Sequence, residues 1–188
     1  VGQSWEKPLD WYNTNVIGCI KLVECIRGLK FIKRFLNVST PEVYGSTISN
    51  ISESFVYNPS TPYAISRACF DSHLLAIFKN FNFPVIFTRA SNVYGPCQRL
   101  YRIIPASIRS TVNNCKLNLD GGGKSKRNFI YVDDVVKATF KILKYGKIGN
   151  VYHISSDEII TIKDLVKKIY KIYKNKNFKK NVRYTKDR

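Results

Sequence analysis

Apolar positions along the chain fall into two alternating spacings, and the alternation predicts the fold class. Val16, Ile20, Val23 and Ile26 recur every three or four residues, the period of one buried helical stripe, and Gly28 follows as a candidate stop. Asp10 or Asn13 is placed to cap that helix, with residues 1 to 10 read as a loop. Phe31 to Val38 (FIKRFLNV) is a short run with the aromatic and β-branched content of a strand. Asn58-Pro-Ser-Thr-Pro62 is then a turn-rich approach to a helix with Pro62 at its first position, and a stripe of Phe70, Leu74 and Phe78 continues it. Val85 to Thr88 is apolar enough for a strand buried on both faces. A helix from Arg102 to Asn113, a strand-like run opened by Arg127, a helix from Asp133 to Tyr145 and a strand from Val151 to Ser155 follow. A helix over 162 to 174, capped by Thr161, ends the order. Strands and helices alternating in this way predict a parallel, doubly wound α/β sheet.

The polar residues that interrupt this pattern concentrate in one stretch. Ser39, Thr40, Glu42, Tyr63 and Arg67 all fall between STPEVYG and NPSTPYAISR. Ser39-Thr40-Pro41 breaks the strand, so the hydroxyls and Glu42 lie at its carboxyl edge, where open α/β sheets bind ligands. Tyr63 and Arg67 are one helical turn apart on one face. A nearby cation favours the anionic form of a phenol, and an anionic phenol can accept a proton from a sugar hydroxyl as hydride leaves the same carbon. A tyrosine four residues before a basic residue is common as a simple surface pair. The hydroxyl and carboxyl cluster ahead of it, at a strand end, is what gives this pair meaning.

Composition removes several alternatives. Hydrophobic residues make up 44% and aromatics 13% of the 188, enough for a packed core, so disorder is excluded. No apolar run is long enough to span a bilayer, so no membrane partner is expected. Cysteines 19, 25, 69, 97 and 115 are scattered and the two histidines lie far apart, so no metal site is expected and a reducing cytoplasm is the natural setting. The net charge of +18 matches a nucleic-acid binder in magnitude only. Its lysines are spread along the chain and thicken near Lys163 to Lys180, as in a nucleotide-biased genome, so no nucleic-acid partner is expected. Gly121-Gly-Gly123 has neither phosphate-loop spacing and reads as a turn. The glycine-rich turn that a dinucleotide site requires occurs nowhere in the chain, and there is no methionine to start it.

Four motifs in order, STPEVYG, NPSTPYAISRA, RASNVYGP (Arg89 to Pro96) and KRNFIYVDD (Lys126 to Asp134), resemble those of the extended short-chain dehydrogenase/reductases. The nearest branch is the NAD-dependent nucleotide-sugar epimerases and dehydratases, in particular the dTDP-glucose 4,6-dehydratases. The resemblance spans essentially the whole chain. It implies the C-terminal half of a Rossmann-like doubly wound sheet plus part of a smaller α/β substrate-binding domain. Residues 1–95 would be the distal half of the NAD domain and 96–188 mainly the nucleotide-sugar domain, with 129–155 able to return to the main sheet. The pyrophosphate loop would lie upstream, and Tyr184 to Arg188 (YTKDR) would start a segment continuing downstream, so this stretch alone is expected to be inactive.

The resemblance also implies roles. Tyr63, Arg67, Thr40, Glu42 and Ser39 would be catalytic, and Tyr63, Arg67 and Asn15 would meet NAD. Asn92 and Arg127 would hold the diphosphate, while Leu117, within Lys116 to Leu119, would help wall the base, and Glu42 would also touch the sugar. A doubly anionic nucleotide-sugar suits the positive field of the chain. The implied partners are that nucleotide-sugar and a second copy of the protein. Two departures stand out: Arg67 replaces the family's usual lysine, and Pro41 an aspartate usual in the dTDP-glucose enzymes. A glutamate two residues after the threonine favours 4,6-dehydration, with Glu42 as the C5 base and, lacking an acid at 41, also as the acid for the departing hydroxyl. A 4-epimerase, a UDP-glucuronate decarboxylase and a non-catalytic nucleotide-sugar-binding relic are the alternatives.

Overall fold

The computed structural model describes residues 3–46 and 51–186. In chain order the elements are α1 (Gln3–Glu6), α2 (Pro8–Tyr12), α3 (Cys19–Ile26), β1 (Phe35–Ser39), α4 (Pro62–Phe81), β2 (Val85–Ala90), β3 (Asn92–Tyr94) and α5 (Ile103–Asn113). There follow β4 (Leu117–Leu119), β5 (Lys126–Tyr131), α6 (Val132–Tyr145), β6 (Val151–Ile154), β7 (Ile159–Thr161), α7 (Ile162–Ile172), α8 (Phe178–Asn181) and β8 (Val182–Tyr184). A π-helical turn spans Asn13–Gly18, and 3₁₀ turns span Pro41–Tyr44 and Asp120–Gly123. The described residues form two compact units, one of residues up to Ser91 with Asp134–Ile154, the other of Asn92–Asp133 with residues from Ser155 on.

The first unit is a parallel three-stranded sheet in the order β1-β2-β6. Phe35 pairs with Val85 and Ser39 with Arg89, so β1 ends one residue before β2. Central β2 is buried from Val85 to Arg89 without a break, as its continuous apolar run predicted. The strand expected from Phe31 starts only at Phe35. Its first ladder bond, Phe35 N–H to the Pro84 carbonyl, fixes where pairing with β2 begins. The core joins Val23 of α3, Phe70, Leu74 and Ile77 of α4, Val85 and Phe87 of β2, and Val151 of β6.

The N-terminal loop expectation fails from Gln3 onward. Pro8 occupies the first position of α2, where a proline gives up no hydrogen bond, and the helix then runs on through the π turn into α3. Asp10 and Asn13 therefore lie within helical backbone and cap nothing. Arg27, at φ −55 and ψ −36, closes α3 in right-handed geometry, and Gly28 is not in the left-handed conformation expected of a glycine stop. Pro62 does open α4, with Thr61 Oγ1 accepting the Ala64 N–H at 3.2 Å as N-cap.

In the second unit β5 pairs with β3 in parallel and with β7 antiparallel, while β4 pairs with β8. Asn92 follows β2 after one intervening residue. Asn92–Tyr94 forms β3, because its backbone finds a partner in Phe129–Tyr131. The core of this unit joins Ala106, Leu117, Leu119, Val166, Tyr170 and Val182. Thr161 caps α7 by accepting the Asp164 N–H at 3.1 Å, as expected. Tyr184 closes β8, while Asp187 and Arg188 of the YTKDR stretch lie outside the described residues.

Candidate active site

Ser39 is the last residue of β1, and Thr40 leaves the strand in extended geometry, φ −141 and ψ 144. Thr40 Oγ1 accepts the Glu42 N–H at 3.3 Å and so caps the 3₁₀ turn in which Glu42 lies. A hydroxyl has one hydrogen to give, and this bond uses only its oxygen, so Thr40 keeps a donor for another acceptor. Pro41 occupies the first position of the turn, where its missing N–H has no consequence. Gly45 ends the turn at φ +73, and a Cβ there would run into the Asn58 carbonyl. Thr40 is buried and Glu42 half-buried.

Tyr63 is the second residue of α4, half-buried, with its ring edge-on to Trp11 at 5.1 Å between centroids. Arg67 follows one turn later on the same helix, as the spacing predicted, and its Nη2 donates to the Val38 carbonyl at the end of β1. Asn15, carried on the π turn, donates from Nδ2 to Ser66 Oγ at 3.0 Å, and Ser66 Oγ donates to the Tyr63 carbonyl at 2.7 Å. Ser66 is fully buried, so these two bonds tie the π turn to the backbone under Tyr63. Ser39, Thr40, Glu42, Tyr63, Arg67 and Asn15 thus converge within the first unit, where β1 ends beside the start of α4.

The sequence reading missed what lies beneath them. Asp71 and Arg89 form an ion pair at 3.0 Å with both side chains fully buried. Asp71 also accepts from Asn37 Nδ2 at 2.7 Å and from Ser39 Oγ at 2.7 Å. Arg89 donates to the Tyr44 hydroxyl, to the Ser54 carbonyl at 2.7 Å and to the Tyr57 hydroxyl at 3.2 Å. His153 Nε2 meets the Tyr44 hydroxyl at 2.9 Å. Burial pushes the Asp71 carboxyl up while Ser39 and Arg89 pull it back, burial pushes the Tyr57 phenol up, and burial pushes the His153 imidazole down. A signal existed: Asp71 follows Phe70 in an apolar stripe and Arg89 ends the buried run VIFT, and charges in such places require partners.

The other expected site residues belong to the second unit. Asn92, at the exposed start of β3, donates from Nδ2 to the Asn128 carbonyl of β5 at 3.0 Å. Arg127 is exposed on β5, with Nη1 donating to the Lys126 carbonyl at 3.0 Å. The Leu117 side chain packs into the core of its unit, leaving the backbone of β4 as what it could offer a ligand.

The family model for the NAD-dependent epimerase/dehydratase family matches residues 1–155. The chain belongs to that family. A dTDP-D-glucose 4,6-dehydratase of Dictyostelium discoideum is 38% identical over 184 residues, covering 92% of this chain and 42% of that protein. The crystal structure of a dTDP-glucose 4,6-dehydratase from Bacillus anthracis, in complex with NAD, is 35% identical with a TM-score of 0.88, over 94% of this chain and 57% of that one. A UDP-glucuronic acid 4-epimerase from Bacillus cereus, in complex with UDP-glucuronic acid and NAD, is 28% identical with a TM-score of 0.83, over 92% and 55%. This epimerase/dehydratase chain therefore has the Rossmann-like α/β fold of those enzymes and spans about half the length of the curated relatives it matches. No helix among its described residues is long and apolar enough to cross a membrane.

Proposed function

We propose that the complete protein is an NAD-dependent nucleotide-sugar 4,6-dehydratase and that this chain carries its acid–base machinery. The observation that carries the reading is Glu42, held on a turn capped by Thr40 at the end of the strand to which Arg67 reaches from the Tyr63 helix. NAD would supply the hydride acceptor for C4 and return that hydride at C6. Tyr63 and Arg67, both half-buried near the start of α4, fit its nicotinamide-ribose end, and Asn15 supports them through Ser66. Tyr63 takes the proton of the C4 hydroxyl, and the Thr40 hydroxyl donates to the same oxygen. Glu42 removes the C5 proton and hands a proton to the hydroxyl leaving C6. Ser39, bonded to Asp71, serves by holding the strand end.

In this reading the first unit holds the cofactor side and the second the nucleotide. Arg127 and Asn92 bind the diphosphate, Arg127 through the planar fork that suits phosphate oxygens, and the backbone around Leu117 walls the base. The complete protein would be a cytoplasmic homodimer, and exposed Ile17, Leu22 and Ile65 of the first unit are apolar side chains that a second copy would cover.

One feature favours a 4-epimerase or a UDP-glucuronate decarboxylase as the second reading: position 41 has no acid, and Pro41 is absorbed as the start of the turn. Incubating the complete protein with dTDP-glucose and with UDP- and GDP-sugars, and identifying products by NMR, decides between them. A 4-keto-6-deoxy sugar is expected, whereas a C4 epimer or a pentose overturns the dehydratase reading.

Arg67 gives a smaller test. Arg67→Lys keeps a cation able to reach the Val38 carbonyl and is expected to retain activity with a displaced pH optimum. Arg67→Ala removes the charge beside Tyr63 and the tie to β1, so its activity should fall across the pH range. An Arg67→Ala protein matching the parent at every pH would remove Arg67 from the machinery.

A further inference from the structure

We propose that the buried Asp71–Arg89 pair is a positioning clamp that fixes the Thr40–Glu42 turn relative to Tyr63; this rests on the functional reading above. The pair grips the turn on both flanks. Asp71 holds the Ser39 hydroxyl immediately before it, and Arg89 holds the Tyr44 hydroxyl at its end. Thr40 and Glu42 lie between these two anchors.

Three features make this a device for geometry. First, the turn is weak by itself: its internal bonds are Thr40 Oγ1 to Glu42 N–H at 3.3 Å, Val43 N–H to the Thr40 carbonyl at 3.4 Å and Gly45 N–H to the Glu42 carbonyl at 3.0 Å. A single 3₁₀ turn with long bonds takes its orientation from what flanks it. Second, Asp71 stands on α4, the helix that carries Tyr63 and Arg67, two turns beyond Tyr63. Gripping Ser39 from that helix sets the distance between the turn and the catalytic phenol. Third, a buried ion pair is a poor way to gain stability over an apolar pair, whereas its directional bonds fix a single arrangement. Both Asp71 oxygens and both terminal nitrogens of Arg89 are engaged, and the guanidinium also stacks over the Tyr44 and Tyr57 rings at 4.7 and 5.3 Å. Val43 and Tyr44 also pack on Ala68 of α4, and the Val43 carbonyl accepts the Asn58 N–H at 2.9 Å; these contacts hold the middle of the turn, while the directional bonds of the pair hold Ser39 and the Tyr44 hydroxyl on either side of it.

Asp71 and Arg89 are thus positioning residues that act through Thr40 and Glu42, and Ser39 and Tyr44 are the points of grip. The test uses hydride transfer from C4 in a single turnover of the complete protein with its nucleotide-sugar, followed by the absorbance of the reduced cofactor. This step is common to dehydratase and epimerase. Ser39→Ala and Tyr44→Phe each release one grip and leave the ion pair in place. Each is expected to slow hydride transfer about ten- to a hundred-fold, the scale of a small misplacement of reacting groups. The KM for the sugar should hold, and Ser39→Thr should restore the rate. In a Thr40→Val background, Ser39→Ala should add little, because the clamp acts through the residue already removed.

A folded Ser39→Ala protein as fast as an active parent overturns the clamp and leaves the functional reading standing. Strict additivity of Ser39→Ala with Thr40→Val overturns it too, since that is how a merely structural contact behaves. A parent that transfers no hydride from any nucleotide-sugar overturns the functional reading, and the clamp with it.

Discussion

Glu42→Gln in the complete protein is expected to stop the reaction half-way, with the sugar oxidised at C4 and the cofactor left reduced. Glutamine keeps the shape of Glu42 and its backbone place in the turn capped by Thr40, so Tyr63 and Thr40 still carry out the first step. An amide cannot accept the C5 proton. Without that removal no 5,6-alkene forms, and hydride has nowhere to go except back to C4. Absorbance of the reduced cofactor should therefore rise at a near-parental rate and persist. A general base contributes about a hundred- to ten-thousand-fold, so the loss of turnover should be plain. Deuterium uptake from solvent at C5 should vanish in parallel. A 4-epimerase never exchanges C5, so a Glu42→Gln protein that still interconverts C4 epimers without deuterium uptake would sink the dehydratase reading.

Arg89→Met is expected to cost a large share of the stability of the first unit. The substitution keeps much of the apolar stem and removes the cation, leaving the Asp71 carboxylate fully buried with the bonds from Asn37 and Ser39 among the described residues. Breaking a buried pair in this way costs about 3–5 kcal/mol. Against a total of about 5–15 kcal/mol for an ordinary domain, that is a large share. The Tyr57 hydroxyl loses its Arg89 donor at the same time, and the Tyr44 hydroxyl and the Ser54 carbonyl each lose one of theirs. Denaturant midpoints of the complete protein should show the loss. Asp71→Leu added to Arg89→Met should recover part of it, because the double variant buries no charge. A single variant within about 1 kcal/mol of the parent would mean that the carboxylate finds other compensation and that the pair contributes little to the fold.

These two residues show how the sequence and the tertiary structure divided the information. The local pattern by itself determined what depends on neighbours in the chain. The buried run of β2 was legible because a strand covered on both faces must be apolar throughout, and α4 because Pro62 and Thr61 satisfy its first turn from within a few residues. Tyr63 and Arg67 on one helical turn, and Thr40 and Glu42 at a strand end, follow from the same short-range geometry. Where a start signal outside the expected segment governed, the local reading failed. Pro8 started its helix before either candidate cap, and the Pro84 carbonyl delayed β1 to Phe35.

What only the tertiary structure decided are the partners of charged and polar side chains distant in sequence. Arg67 is bonded to the Val38 carbonyl, 29 residues away. Asn15 reaches across 51 residues to Ser66. Asn92 is a strand residue because β5 supplies its ladder. In the sequence Asp71 is one acid within a helix and Arg89 one cation at the end of an apolar strand. Their pairing depends on α4 crossing the end of β1 beside β2, a relation set by packing of Phe70, Leu74 and Phe87 in one core. Periodicity tells which face of an element is covered; it carries no information on which distant charge covers it, because that choice is made by the desolvation cost of every buried ion once the elements have packed.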